Sequence, residues 1–294
     1  MLFNLNGKLL GEDEARISVL DRGFLYGDGI YETVLIRNRR PFHLGKHLAR
    51  LRSSASIVRL DLNWTDEKME IEVNRLLEAG ELRDAALRIN VSRGVGDWRL
   101  STGGALNPTI LLSLFPIPEY PQDTYSRGWD VVISRDVVTM DPVIPAVAKT
   151  TNRLNLILAK REAEERGAKE AVLLNMQGFL TEGTSSNIFF VMNGEVCTPS
   201  LESGILEGVT RGIVIDILRG EGIDTKESLY SPEDLKSAEE SFLTFTTAGV
   251  VPIHAVDGQV IGEEGAGSLT GEVIASYEKE VEQLTAPHGA GGVG

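Results

Sequence analysis

Three prolines within six residues, Pro116, Pro118 and Pro121, break every apolar period near the middle of the chain and constrain its fold more than any other feature. Proline removes a backbone donor and fixes φ, so such a cluster reads as a connection between domains. On both sides of it, strand-sized apolar runs alternate with amphipathic stretches. The strand candidates are Tyr31 to Arg37, Ala86 to Ser92, Thr109 to Phe115, Trp129 to Ser134, Glu170 to Leu174, Asn187 to Met192 and Phe242 to Thr247. Helical spacing links Leu44, Leu48, Leu51, Ala55 and Val58, then Met69, Val73, Leu76 and Leu77 up to Gly80, then Leu154, Ile157 and Leu158. A further helix opens at Val209 and turns Ile213, Val214, Ile217 and Leu218 inward. The class is mixed α/β, and the expected division is an N-terminal α/β domain over 1–116, a linker over 117–123, a C-terminal domain over 124–285 and a disordered tail over 286–294.

Length and charge narrow the function. With 294 residues, 42% hydrophobic and 24% charged, the chain has an ordinary globular composition. Its net charge of -14 repels phosphodiester backbones and anionic lipid, so nucleic acid and membrane surfaces are poor partners and small molecules are better ones. Cys197 is the single cysteine and has no internal partner for a disulfide; with no leader-like start, this points to a cytoplasmic location. No apolar run reaches the roughly 18 to 20 residues of a membrane span.

Against this acidity, residues 33–60 hold no Asp or Glu and carry Arg37, Arg39, Arg40, Lys46, Arg50, Arg52 and Arg59. On the helix from Leu44, Arg50 and Arg52 point about 200° apart, and Arg50 borders the apolar stripe, where a guanidinium suits bidentate contact with phosphate. Gly208-Val209-Thr210-Arg211 opens another helix, whose free amides and the Thr210 hydroxyl attract an anion, although ordinary capping explains the motif as well. Lys149 lies in Pro145 to Asn152, a segment without other charges, where a neutral amine could attack an aldehyde to form a Schiff base; a surface lysine is the bland alternative. Glu182 sits in a small polar turn between two apolar strands, either solvated or placed to hold a pyridine nitrogen protonated. No Walker-type Gly-Lys-Ser/Thr, no Gly-x-Gly-x-x-Gly after a strand and no Gly-x-Ser-x-Gly elbow occurs. His43, His47, His254 and His288 lack metal-ligand spacing, so no metal is expected.

In order along the chain, Asp21 to Glu32, His47 to Leu51, Lys149 to Asn155, Thr181 to Asn187 and Gly204 to Arg211 resemble the class IV aminotransferases, the fold-type IV pyridoxal-phosphate enzymes, from about residue 3 to residue 284. The resemblance implies two domains with pyridoxal 5'-phosphate between them, a C-terminal domain with a pseudo-barrel, and a homodimer with sites near its interface. By that likeness Lys149 matches the Schiff-base lysine, Glu182 the carboxylate on the pyridine nitrogen, and Arg50, Val209, Thr210 and Thr246 the phosphate cup. Tyr31, Arg99, Thr247 and Ala248 are the implied substrate contacts, and amino acids and 2-oxo acids the implied substrates.

Within the family, branched-chain enzymes usually carry an arginine three residues after the glutamate of their Tyr/Phe-Glu motif, and here Leu35 stands there. Arg37, on the same strand face, is one replacement. The run Ser92 to Arg99 is similar to the loop that carries a carboxylate-binding arginine in D-amino-acid aminotransferases, and to its equivalent in aminodeoxychorismate lyases, which makes Arg99 the other. Thr246-Thr247-Ala248-Gly249 reads closer to transaminases, including those of (R)-amines. A branched-chain-like aminotransferase is the resulting expectation; the lyase, D-amino-acid or (R)-amine specificity, and a noncatalytic cofactor-binding protein are the alternatives.

Overall fold

The computed structural model describes residues 1–104, 107–139, 146–262 and 266–287. They form two compact units: Met1–Pro118 with Ala148–Asn152 and the chain from Val281, and Glu119–Val147 with Arg153–Glu280. The change of unit at Pro118 falls inside the proline-rich stretch, and five residues around Lys149 and the end of the last helix group with the N-terminal unit. The expected tail over 286–294 lies outside the described residues from 288 onward.

The N-terminal unit is built on a six-stranded sheet of β1 (Leu2–Leu5), β2 (Lys8–Gly11), β3 (Gly29–Arg37), β4 (Arg40–Pro41), β5 (Ala85–Ser92) and β6 (Thr109–Phe115), in the order β2-β1-β6-β5-β3-β4. Helix α1 (Arg22–Tyr26) starts at Asp21, whose side chain accepts from the Gly23 N–H, and α2 (Leu44–Ile57) and α3 (Asp66–Ala79) follow. Thr65 caps α3 by accepting from the Lys68 N–H, Asp66 and Glu67 favour its positive end, and Gly80 stops it. The period-3.6 stripe of α3 buries Met69, Val73 and Leu76 completely, each contributing about 1.5–3 kcal/mol of transfer free energy. They pack in one core with Leu48 and Leu51 of α2 and with Ile30, Val34 and Ile36 from one face of β3. Alternation turns Tyr31, Thr33 and Leu35 to the opposite face, in register with Asn90, Arg88 and Ala86 of β5.

The C-terminal unit contains β7 (Trp129–Thr139), α4 (Leu154–Glu165), β8 (Glu170–Asn175), β9 (Leu180–Gly183), β10 (Asn187–Met192), β11 (Glu195–Pro199), α5 (Val209–Gly220), β12 (Thr225–Ser228), α6 (Pro232–Lys236), β13 (Glu240–Phe245), β14 (Gly249–Val256), β15 (Gln259–Val260) and α7 (Ser268–Thr285), the last ending in the N-terminal unit. Its sheet runs β12-β11-β10-β13-β14-β7-β8-β9, with β15 on β14. Terminal β9 also lies near β10 and β11, so the sheet curls on itself in the manner of the expected pseudo-barrel. Phe189 and Phe242 stack 5.0 Å apart on the face opposite the core of Ile188, Phe190 and Leu243. One pattern reads differently: Leu154, Ile157 and Leu158 of α4 are half or more exposed, and the buried face is Leu156, Ala159 and Ala163. The strand expected over Phe242 to Thr247 ends at Phe245, which leaves Thr246 and Thr247 in a turn.

Candidate active site

Lys149 is fixed by backbone pairing to the start of β3. The Tyr31 N–H donates to the Lys149 carbonyl at 2.9 Å and the Thr151 N–H to the Gly29 carbonyl at 2.9 Å, a bridge that aligns Ile30 with Thr150. The Lys149 N–H donates to Ser54 Oγ of α2 at 3.0 Å, and Thr151 Oγ1 donates to the Gly27 carbonyl at 2.8 Å. Glycine is required at position 29, because a Cβ there would lie 2.7 Å from the Val91 carbonyl oxygen. Lys149 Nζ then sits 4.8 Å from the centroid of the Tyr31 ring. The segment's own lack of charge does not make its surroundings apolar: Lys149 is half-buried, its charge reaches His47 of α2, and two charged groups stand on β3 and on its neighbour β5.

The first group is Glu32, completely buried on the core face of β3. Arg50 Nε donates to Oε1 at 2.7 Å and its Nη2 to Oε2 at 2.9 Å, while His47 Nδ1 lies 2.9 Å from Oε2. His47 and Arg50 are three apart on α2 and therefore share the face turned to β3. Burial alone would raise the Glu32 carboxyl, but the hydrogen bonds from His47 and Arg50 and the Arg50 charge outweigh it and bring the pKa down to about 2. Burial pushes the His47 imidazole below its ordinary value; Glu32 opposes this, and the charges of Arg50 and Lys149 add to the lowering. Arg50 is thus a largely covered guanidinium with one edge committed to a carboxylate.

The second is Arg88 of β5. Its guanidinium carbon is 3.4 Å from the Tyr31 centroid, a stacking distance, with Nη1 donating to Thr33 Oγ1 at 3.3 Å and Nε to Asn90 Oδ1 at 3.2 Å. No motif pointed to Arg88; the available signal was an arginine inside an otherwise apolar strand, two residues from Asn90 and so on the same face.

Described by itself, the C-terminal unit holds Glu182, Val209, Thr210, Thr246, Thr247 and Ala248. Glu182 is the penultimate residue of β9 and is buried; its Oε2 accepts from Asn187 Nδ2 at 3.1 Å and from the Leu206 N–H at 3.0 Å, which anchors that oxygen. Asn187 Nδ2 also donates to the Leu206 carbonyl at 3.0 Å, and a Cβ on Gly208 would come within 1.9 Å of Asn187 Oδ1. Only glycine therefore lets α5 begin there, with Val209 and Thr210 at its positive end. Thr210 Oγ1 donates to the Phe245 carbonyl at 3.1 Å, tying this helix start to the turn that carries Thr246. Thr247 Oγ1 pairs with the Tyr120 hydroxyl at 3.0 Å, and the Tyr125 hydroxyl donates to the Ala248 carbonyl at 3.0 Å.

The two replacements expected for the arginine missing at Leu35 lie at the end of a strand and on a loop. Leu35 is buried, and Arg37 is the last residue of β3, about 20 Å along the strand from Tyr31, facing Asp84 at 3.7 Å. Arg99 is exposed in the loop after β5, its N–H on Asp97 Oδ1 and its carbonyl on Arg22 Nη1. Among the described residues no cluster of His, Cys, Asp or Glu could hold a metal, and no helix is long and apolar enough to cross a membrane.

Comparison with known proteins matches residues 29–256 to the family described as amino-transferase class IV. A Methanocaldococcus jannaschii protein, provisionally assigned as a branched-chain-amino-acid aminotransferase, is 40% identical over 95% of this chain and 96% of its own. The D-alanine aminotransferase of Bacillus licheniformis is 32% identical over 96% of this chain and 97% of its own. Among solved structures, the branched-chain aminotransferase of Thermoproteus uzoniensis with norvaline superposes with a TM-score of 0.88 at 31% identity, over 98% of this chain and 96% of that one.

Proposed function

Because the chain belongs to the class IV aminotransferases, pyridoxal-phosphate-dependent transaminases, we propose that it moves amino groups between branched-chain amino acids and 2-oxo acids, with Lys149 as its catalytic amine. The observation that carries this reading is the pairing of Ala148–Thr151 with β3, which holds one lysine nitrogen over Tyr31 beside a cluster of fixed charges. Each unit by itself offers groups that suit pyridoxal phosphate: a primary amine and a guanidinium in the N-terminal unit, and a buried carboxylate and a helix start with a hydroxyl in the C-terminal unit. When bound, the cofactor withdraws electrons from the substrate's α-carbon. Lys149 Nζ takes the α-proton and returns it, acting as base and then acid. Glu182 would hold the ring nitrogen in its protonated form and balance its charge. Arg50, the Val209 and Thr210 amides, the Thr210 hydroxyl and Thr246 would hold the phosphate. Tyr31, Arg99, Thr247 and Ala248 contact the substrate.

The branched-chain reading is supported by the 40% identical relative. D-amino-acid specificity is the second reading, supported by the D-alanine aminotransferase likeness. A panel of L-leucine, L-isoleucine, L-valine, D-alanine and a simple amine, each with 2-oxoglutarate as acceptor, tests them by the 2-oxo acid or aldehyde released. The L-branched donors should turn over fastest; D-alanine fastest would replace the first reading by the second.

We further assign a homodimer. Phe24, Trp98 and Leu100 of the N-terminal unit and Leu154, Ile157 and Leu158 of α4 are large apolar side chains left half or more exposed, more than a monomer usually leaves in groups. Sedimentation should give twice the chain mass. Cys197 is buried and unpaired, which suits the reducing cytoplasm, the location we propose.

A further inference from the structure

We propose that Asp28 is a positioning residue for Lys149, holding through Arg22 and Arg93 the backbone frame from which the amine is presented. The proposal rests on Lys149 being the reactive amine and goes on to what sets its place. Asp28 stands between Gly27 and Gly29, so its carboxylate is the one side-chain restraint within a segment that is otherwise conformationally free. That segment carries the lysine's anchors. The Thr151 N–H donates to the Gly29 carbonyl at 2.9 Å, Thr151 Oγ1 to the Gly27 carbonyl at 2.8 Å, and Asn152 Nδ2 to the Tyr26 carbonyl at 3.5 Å. A shift of Gly27–Gly29 therefore carries residues 149–152 with it.

Two arginines meet on that carboxylate. Arg22 Nε donates to Oδ2 at 2.8 Å, and Arg93 Nε to Oδ2 at 2.9 Å and to Oδ1 at 3.1 Å, in a group of three largely buried side chains. Burial would raise the Asp28 carboxyl, but the hydrogen bonds and charges of Arg93 and Arg22 outweigh it and keep it below the ordinary 3.8. With Nε committed to Asp28, each guanidinium turns its other nitrogens to main-chain carbonyls. Arg93 reaches those of Arg59 at 2.7 Å and Val58 at 2.9 Å, at the end of α2, the helix whose Ser54 accepts from the Lys149 N–H. Arg22 reaches the carbonyls of Arg99 at 2.8 Å and of Leu100 and Ser101 at 3.3 Å each. Asp28 supplies the counter-charge that lets both cations be buried in this arrangement. One carboxylate thus joins the entry to β3, the end of α2 and the loop after β5, and the first two of these hold the Lys149 backbone.

Hydrogen exchange of the cofactor-loaded full chain separates positioning of the lysine from general bracing of the fold. In Asp28→Asn the amides of Tyr31, Lys149 and Thr151 should exchange about tenfold or more faster, while that of Leu112 in β6, between β1 and β5, stays within about threefold of wild type. Arg93→Lys keeps the charge but not the fork, and should accelerate the Lys149 amide by a smaller factor. The cofactor-free chain should also take up pyridoxal phosphate on Lys149 about tenfold more slowly in Asp28→Asn, read by borohydride trapping. Unchanged exchange at the three amides in Asp28→Asn, or at the Lys149 amide in Arg93→Lys should the first variant not fold, would overturn the proposal. So would an equal acceleration at Leu112, which would make the three side chains a brace of the whole unit, or a wild-type rate of uptake. Peptide mapping of the trapped wild type keeps the two inferences apart: an adduct away from Lys149 overturns the reading beneath this one, and with it the proposal, whereas an adduct on Lys149 with unchanged exchange in Asp28→Asn overturns the Asp28 assignment alone.

Discussion

Arg50 grips Glu32 with two prongs, Nε on Oε1 at 2.7 Å and Nη2 on Oε2 at 2.9 Å, in a pair that leaves the carboxylate no solvent exposure. Removing one partner of such a pair strands the other's charge. Glu32→Gln should therefore lower the unfolding free energy by about 3 kcal/mol and weaken cofactor retention, since the proposed phosphate ligand loses its positioning carboxylate. Urea denaturation and competitive dialysis read the two effects; no change in either would mean that Arg50 is held by other contacts.

The same cluster predicts acid sensitivity. Glu32 titrates at about 2 when folded against an ordinary 4.5, so its stabilisation is complete above 4.5 and is lost as pH falls from 4.5 towards 2, a total of roughly 3 kcal/mol. His47 is lowered from 6.5, so the unfolded chain takes up its proton first and stability already declines below about 6.5. Melting temperature should fall in two stages on acidification, and His47→Gln should flatten the upper one. A profile flat from pH 7 to 5 in wild type would contradict the burial of a neutral imidazole.

Borohydride treatment of the cofactor-loaded protein should fix a pyridoxyl group on Lys149, identified by peptide mapping. Lys149→Ala should carry none. Recovery of the adduct on Lys160 or Lys169 would refute the assignment of the amine.

Glu182→Gln should still be labelled on Lys149 yet lose roughly a hundredfold or more in kcat, because the neutral amide balances the pyridinium charge poorly. The Leu206 N–H and Asn187 hold the native carboxylate in place, so Asn187→Ala should give a smaller loss of the same kind. Full activity in Glu182→Gln would make Glu182 a structural residue of the β9–β10 turn.

At the start of α5, Thr210→Val should cost about 1 kcal/mol of cofactor affinity, the contribution of one hydroxyl hydrogen bond. Gly208→Ala should cost more, since its Cβ would come within 1.9 Å of Asn187 Oδ1 and displace the helix start. Equilibrium dialysis against free cofactor gives both values; unchanged affinity in both variants would remove α5 from the phosphate site.

Much of this was legible in the sequence because it is local. The α3 stripe, the glycines and prolines that end elements, the Gly208 helix start and the ordered motifs all act within a few residues. What escaped depends on register and tertiary pairing. Arg88 became notable only once β5 was aligned with β3 so that it faced Thr33 and lay over Tyr31. Lys149 stands in a segment without other charges, and His47 on α2 and Tyr31 on β3 reach it only through tertiary pairing. The apolar residues of α4 gave the right helix but the wrong face, since small alanines fill the side packed on β7 and β8. Helix α7 and strand β14 were not anticipated: one mixes its apolar positions with glutamates, and the other is a continuous apolar run that alternation does not reveal.

Five residues around Lys149 belong to the N-terminal unit although the chain before and after them belongs to the other. The amine proposed to react therefore cannot be inherited together with its anchors by either half alone. A fragment ending at Pro118 would lack Lys149, and a fragment starting at Glu119 would keep it but lose the β3 partner and the Ser54 hydroxyl that anchor its backbone. Gene splitting at the proline-rich connection should give pieces that recover chemistry only when recombined, and a nascent chain should gain activity only once residues 148–152 have paired with β3.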